Sequence, residues 1–287
     1  DDYIGGAEHA VMHLLYARFW TKVMYDEDLI SFQEPFKTLR NQGMILAPDG
    51  QKMSKSKNNT IEPDGLIEQG YGADATRIME LFIGPWNQSV AWSVEGMGGS
   101  FRFLQRVWTI TQEYIEAKDA KGKQPEVLET IHRTIEKVSK DLDVMGFNTA
   151  IAALMECVNK LYIAKAETGF VDKESWQFAI ESLLKLLAPF APHISEDLWS
   201  QLGHEGSIHT SEWPVHDPAQ LATDSMNIVI QVNGRLRANI SIASGSSEKD
   251  IIKAARAEEN VSKYLSSKEL KKTIFVADKL VNFVVAK

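Results

Sequence analysis

Three long apolar stripes at helical spacing occupy the middle of the chain and restrict its fold more than any other feature. Phe101, Leu104, Trp108 and Ile115 form the first, and Phe147, Ile151, Leu154, Met155, Val158, Leu161 and Tyr162 the second. Trp176, Ile180, Leu183, Leu184 and Leu187 form the third. Each stripe recurs at i, i+3, i+4 and i+7 and needs another apolar surface to cover it. With a weaker helical pattern over 126–143, the arrangement expected is an antiparallel helix bundle. The polar segment Lys118 to Pro125, containing Gly122, reads as an exposed connection between helices.

The flanks have a different grammar. Toward the N-terminus, Val11, Leu15, Phe19 and Val23 recur every four residues behind Gly5-Gly6, which suits a strand-to-helix turn. The short apolar stretch Gly43 to Ala47 then meets Pro48-Asp49-Gly50, whose Asp-Gly pair tolerates a tight turn. Pro63 can open a helix, and Ala73 to Phe82 is a second helical pattern ended by Gly84-Pro85. Beyond the bundle, Gly203 to Ser225 reads as an inter-domain connection. Ile228, Ile230 and Val232 alternate at period two, Asn233-Gly234 is a type I′ hairpin signal, and Leu236 to Ile242 returns. Helical sequence from Ser247 to Leu265 and an apolar stretch from Thr273 to Val285 complete a small α+β unit. A chain of 287 residues has room for two or three such parts. The expectation is a multidomain protein, mainly α with α/β parts, divided at 1–95, 96–222 and 223–287.

Composition narrows the functional classes. The chain is 44% hydrophobic and 24% charged, values ordinary for globular proteins, and no apolar run approaches the roughly 20 residues of a bilayer span. Asp1-Asp2-Tyr3 has neither the basic nor the apolar region of a leader, and Cys157 has no cysteine to pair with, so a cytoplasmic, reducing setting is expected. The net charge of −8 argues against a protein that coats nucleic acid generally. Its distribution is uneven: residues 226–287 hold 11 Lys and Arg against 6 Asp and Glu, a net of +5, leaving −13 for residues 1–225. That excess suits either an ordinary solvated domain or a phosphate binder.

The densest chemistry lies in Lys52-Met53-Ser54-Lys55-Ser56-Lys57, between Gly50 and Asn58-Asn59. Three ammonium groups and two hydroxyls on one short loop can close over a polyphosphate, neutralising charge on a leaving group while hydroxyls and backbone N–H groups position it. Taken alone, the run is also compatible with a solvated basic loop. A P-loop is excluded, because no G-x-x-x-x-G-K-[ST] pattern is present. Gly5 and Gly6 let backbone approach a ligand, and Glu8 can accept hydrogen bonds from ribose hydroxyls or simply sit at a helix N-terminus. His9 and His13, four apart, would share a helical face, but no third metal ligand accompanies them; a core pairing is the plain alternative for His13. Arg102 with Arg106, and Arg133 with Lys137 and Lys140, form rows that could follow phosphates or only be solvated. Trp213-Pro214 could stack a base or pack on the bundle.

The order Lys52 to Ser56 matches letter for letter the KMSKS signature of class I aminoacyl-tRNA synthetases. Tyr3 to Ala10 followed by His13 to Phe19 resembles the synthetic-site strand and helix of the bacterial leucyl family. Tyr71 to Arg77, Phe103 to Trp108, Phe147 to Ala150, Leu187 to His193 and Val232 to Arg235 follow that family in order and spacing. The resemblance covers essentially the whole chain. It implies a partial Rossmann-like catalytic segment with the KMSKS loop (1–95), a helical anticodon-binding-type bundle and connection (96–222), and a small tRNA-binding domain (223–287). Lys55, supported by Lys52, would contact ATP phosphate. Gly5, Gly6, Glu8, His9, Met53, Ser54 and Ser56 would bind ATP or adenylate, and His13 would line the amino-acid pocket. Arg102, Arg106, Arg133, Lys137, Arg235 and Arg237 would contact tRNA. Asn58 stands where many class I enzymes have Gly, although the leucyl family admits Asn.

The resemblance also implies substrates and limits. ATP enters with Mg²⁺ as substrate, no metal is expected to be held by this portion, and leucine and tRNA-Leu are the other partners of a monomer that touches no membrane. The first class I motif, of His-x-Gly-His type, and the editing domain do not occur in the sequence. The expectation is therefore a C-terminal portion, inactive alone, with a non-catalytic tRNA-binding module or a subunit of a split synthetase as the alternative.

Overall fold

In the computed structural model the described residues are 2–118, 120–221, 225–243, 246–266, 270–276 and 279–285. They form two compact units, Asp1–His216 and Asp217–Lys287. The boundary expected at 222/223 lies outside the described residues.

The first unit opens with β1 (Asp2–Gly5), a 3-10 turn (Ala7–Ala10), α1 (His13–Asp26) and β2 (Thr38–Asn41). β1 and β2 pair in parallel, Tyr3 opposite Leu39 and Gly5 opposite Asn41, so a helix crosses between parallel neighbours as in one half of a doubly wound sheet. The α1 stripe is a correction. Val11 falls in the turn before the helix; Val11, Leu15 and Phe19 are 75%, 57% and 60% exposed, Val23 is half-buried, and Thr21 is the buried residue of the helix. A sheet of two strands offers one narrow layer for α1, and its outward apolar face stays uncovered. A second parallel pair, β3 (Ile45–Leu46) with β4 (Val90–Ala91), brackets the basic loop. Gly43 precedes it because a Cβ there would lie 2.0 Å from the Gln88 carbonyl oxygen.

α2 (Pro63–Glu68) and α3 (Gly72–Phe82) follow, α2 with proline in its first turn. The bundle comprises α4 (Val94–Glu116), α5 (Pro125–Asp143), α6 (Phe147–Thr168), α7 (Lys173–Leu187) and α8 (Pro192–Gln201). The α6 and α7 stripes are buried as expected: Ile151, Leu154, Val158, Trp176, Ile180, Leu183, Leu184 and Leu187 all have 0% exposure. α4 differs. Its inner face is Phe103, Leu104, Val107, Ile110 and Tyr114, whereas Trp108 and Ile115 are 37% and 39% exposed. The stripe read from the sequence is packed in its first half, with Leu104 buried and Phe101 against the core, and lies beside the packed face at Trp108 and Ile115.

Both connections are tied more closely to the bundle than polarity suggests. Gln124, at 1% exposure, donates to Thr168 Oγ1 (2.6 Å) and Ala164 O (3.3 Å) and accepts from Trp176 Nε1 (2.6 Å). After α8, Ile208 is buried at 3% and Trp213 Nε1 donates to Ser139 Oγ of α5 at 2.9 Å. Residues 203–216 therefore belong to the first unit, and Trp213 packs on the bundle.

The second unit contains β5 (Ser225–Val232), β6 (Arg235–Ala243), α9 (Glu248–Ala257), α10 (Glu259–Ser266), β7 (Leu270–Val276) and β8 (Leu280–Val285). Its sheet order is β6-β5-β8-β7, with β5 and β8 parallel and the outer pairs antiparallel. The β5–β6 turn has Asn233 at φ 51° and Gly234 at φ 76°, as a type I′ hairpin requires. Asn233 also accepts from the Val285 N–H at 2.9 Å and so pins the turn to β8. The helical stretch expected over 247–265 is broken at Glu258, whose ψ of 127° is extended.

Candidate functional site

The basic loop hangs from a small hairpin. Leu46 and Lys52 form an antiparallel bridge, the Ala47 N–H donates to Gln51 O at 2.8 Å, and Gly50 takes φ 75° between them. From this anchor, Lys55–Lys57 make a single 3-10 turn that ends on Asn58 at φ 51°. Asparagine visits that left-handed region more readily than most residues, so it serves where a glycine could stand. Asn59 closes the loop from the far side, accepting from the Ser54 N–H at 2.8 Å. The Ser54 and Ser56 hydroxyls are 2.7 Å apart, and Met53 packs on the main core. Lys57 Nζ donates to Gln51 Oε1 at 2.9 Å. Lys52 and Lys55 are exposed and carry no ion pair among the described residues, so two cations stand on a braced loop facing solvent.

Gly6 and Glu8 line a cavity of about 640 Å³ that also takes in Gly43, Glu80 and Trp86. The Glu8 carboxylate folds over Gly6, where an added Cβ would lie 2.2 Å from Oε2. Burial pushes the Glu80 carboxyl up from its ordinary value, opposed by the charge of Arg77. His9 and His13 do not share a helical face. His9 lies in the 3-10 turn, the backbone breaks at Met12, and α1 begins at His13. Tyr3 brings them together instead: its hydroxyl is 2.9 Å from His13 Nδ1, and its ring meets His9 edge-on at 6.3 Å. His9 Nδ1 is buried with no hydrogen-bond partner among the described residues. The linings of the cavities beside these residues do not include Lys52 or Lys55, so neither cavity brings the loop lysines together with Gly6, Glu8 or Tyr3.

The basic rows divide by partner. Arg133 donates to Glu129 Oε1 at 3.0 Å and Lys137 to Asp141 Oδ1 at 2.6 Å, each one turn away on α5. Arg106 bonds Asn159 and lies 4.4 Å from the centre of the Tyr162 ring. Arg102 is exposed and without an ion pair among the described residues. In the second unit Arg235 is exposed, and Arg237 lies over the Tyr264 ring at 4.2 Å. Among the described residues no group of three or more His, Cys, Asp or Glu could hold a metal ion, and no helix is long and apolar enough to cross a membrane.

Two residues of α3, a short way after the loop, had no assigned role in the sequence. Asp74, 9% exposed, accepts at Oδ1 from His193 Nδ1 (2.8 Å) and at Oδ2 from the Ile194 N–H (2.8 Å), at the first turn of α8. Arg77 donates to Pro189 O (3.0 Å) and Phe190 O (3.2 Å). One helix thus fastens the segment carrying the loop to the bundle. The signal for this was an acid and a base three residues apart, but partners more than 110 positions away cannot be read from spacing.

Comparison with known proteins adds two family matches: residues 15–93 match tRNA synthetases class I (I, L, M and V), and residues 124–264 match the anticodon-binding domain of tRNA ligase. Among solved structures, the chain is similar over 100% of its length to the agnB2 LeuRS of Agrobacterium radiobacter K84, solved as a ternary complex with tRNA and LeuAMS, at 33% identity and a TM-score of 0.73. It spans 38% of that chain. The methionyl-tRNA synthetase of Mycobacterium tuberculosis, bound by methionyl-adenylate, is similar over 71% of this chain and 44% of its own, at 17% identity and a TM-score of 0.54. At that identity the likeness is one of fold.

Proposed function

Because the chain belongs to the class I tRNA synthetases of the I, L, M and V group, we propose that it is the loop-bearing portion of a leucyl-tRNA synthetase. The observation that carries this is the braced loop with Lys52 and Lys55 unpaired, on a chain 33% identical throughout to a LeuRS. In the first step the leucine carboxylate oxygen bonds the α-phosphorus of ATP and the bond to the bridging oxygen of pyrophosphate breaks. Lys55, supported by Lys52, offsets the charge that gathers on the leaving pyrophosphate, while Met53, Ser54 and Ser56 position the phosphates. Magnesium enters with the nucleotide as part of the substrate. Gly5, Gly6, Glu8 and His9 face the adenylate, and His13, held by Tyr3, borders the amino-acid pocket. A hydroxyl of the terminal adenosine of tRNA-Leu then takes the leucyl group and AMP leaves.

We place the division of labour at 1–95 for the catalytic segment, 96–222 for the bundle and 223–287 for the terminal domain. Arg102, Arg106, Arg235 and Arg237 approach tRNA phosphates. Arg133 and Lys137 can do so only by exchanging their intrahelical carboxylates for phosphate. In this reading residues 1–287 by themselves are inactive; what supports it is that β1 and β2 form a sheet of only two parallel strands and that the chain matches 38% of the related synthetase. The test is amino-acid-dependent ATP–pyrophosphate exchange, comparing leucine, isoleucine, methionine and valine, with the chain joined to the remainder of a leucyl-type enzyme. Exchange with leucine and none from the isolated chain is expected. Exchange driven by another amino acid would replace the substrate, and aminoacylation by the isolated chain would overturn the division of the site.

A further inference from the structure

A cleft of about 540 Å³ opens on the first unit where α3, α4 and the start of α8 meet. Three aromatic residues wall it: Tyr71 and Phe101, whose rings meet edge-on at 6.1 Å, and Trp108. Trp108 is 37% exposed although its neighbours Val107 and Ile110 are fully buried, so a large indole is held at the mouth instead of in the core. Gln105 and Thr109, one turn apart on α4 and both exposed, present an amide and a hydroxyl to the same opening. His193 completes the rim; Asp74 holds its Nδ1 at 2.8 Å, which fixes the ring and leaves Nε2 for a ligand.

The chemistry of the lining selects the occupant. Asp74 is the one carboxylate in it, and its oxygens are taken up by His193 and Ile194. What remains is a set of aromatic faces with neutral donors and acceptors at the edge, complementary to a flat ring with a polar rim. An aliphatic side chain would fill the space but strip water from Gln105, Thr109 and His193 without replacing their hydrogen bonds. Arg102 stands at i, Gln105 at i+3 and Thr109 at i+7 on α4, so an exposed guanidinium with no ion pair among the described residues lies one turn before the polar rim, outside the cleft lining itself. We propose that this cleft takes one unstacked nucleobase of bound RNA, stacked on Trp108 and read at its edge by Gln105, Thr109 and His193, with a flanking phosphate on Arg102. This rests on the tRNA-binding role proposed above.

The test measures affinity of the chain for a tRNA-Leu transcript across a range of salt concentrations. Stacking releases no counterions, so Trp108→Ala weakens binding about tenfold or more at every salt concentration and leaves the salt slope unchanged. Trp108→Phe retains most of the affinity. Gln105→Ala, at an exposed position that the fold does not need, weakens binding in the same slope-neutral way. Arg102→Ala lowers the slope by about one. Wild-type affinity in both Trp108→Ala and Gln105→Ala would overturn the cleft assignment and leave the tRNA-binding role intact. No binding of the transcript by the wild-type chain would overturn both.

Discussion

Replacing Asp74 by alanine tests how the loop-bearing segment is fastened to the bundle. The carboxylate accepts from the Ile194 N–H at 2.8 Å, from His193 Nδ1 at 2.8 Å and from the His193 N–H at 3.4 Å. Losing the acceptor for a helix N-terminus costs about 1 kcal/mol, and losing a charge-assisted hydrogen bond about 1.5–3 kcal/mol. The expected loss is about 2–4 kcal/mol. At a urea dependence of about 3 kcal/mol/M the unfolding midpoint falls by about 1 M. Tryptophan emission is a clean probe, because all 7 tryptophans precede Asp217 and report only the first unit. Asp74→Asn, which keeps one acceptor, loses less. A loss below about 0.5 kcal/mol for Asp74→Ala would show that the clasp contributes nothing, and refute the reasoning.

Two further outcomes follow from ionisation. Burial pushes the Cys157 thiol up to about 11. It is therefore inert to a thiol reagent in the native chain and reacts on unfolding, and it adds stability that is full below the unfolded thiol value and lost as pH rises toward 11; rapid native-state labelling would contradict this. Hydrogen bonding from Arg18, which outweighs the opposing desolvation, holds the Glu34 carboxyl down at about 2. Its contribution is present above the unfolded carboxylate value and disappears as pH falls through about 2, and Arg18→Gln moves the titration seen by NMR up toward the ordinary value, with Lys22 still holding it partly down; an unaltered titration in that variant would contradict the assignment.

The sequence disclosed most where local rules and burial agree. The α6 and α7 stripes and the Asn233-Gly234 turn are legible because a helix face and a left-handed turn are set within a few residues. α4 was read correctly at Phe101 and Leu104 and misread further on, since Trp108 and Ile115 keep the helical period while Phe103, Val107 and Ile110 are the ones covered. The α1 stripe has the right period and no layer over it. At the site, the KMSKS order was plain, but its bracing by Asn59 and the meeting of His9 and His13 on Tyr3 were not, because those depend on where side chains end up. The Asp74 and Arg77 clasp joins residues too distant in sequence for any pattern to connect.

The most direct measurement is leucine-dependent ATP–pyrophosphate exchange with Lys55→Ala, made with this chain joined to the remainder of a leucyl-type enzyme. Removing one charge-stabilising donor lowers such rates by about 10²–10³-fold. That loss should fall on the exchange rate with the fold intact, as judged by tryptophan emission. An exchange rate equal to wild type would contradict the claim that this loop grips the pyrophosphate.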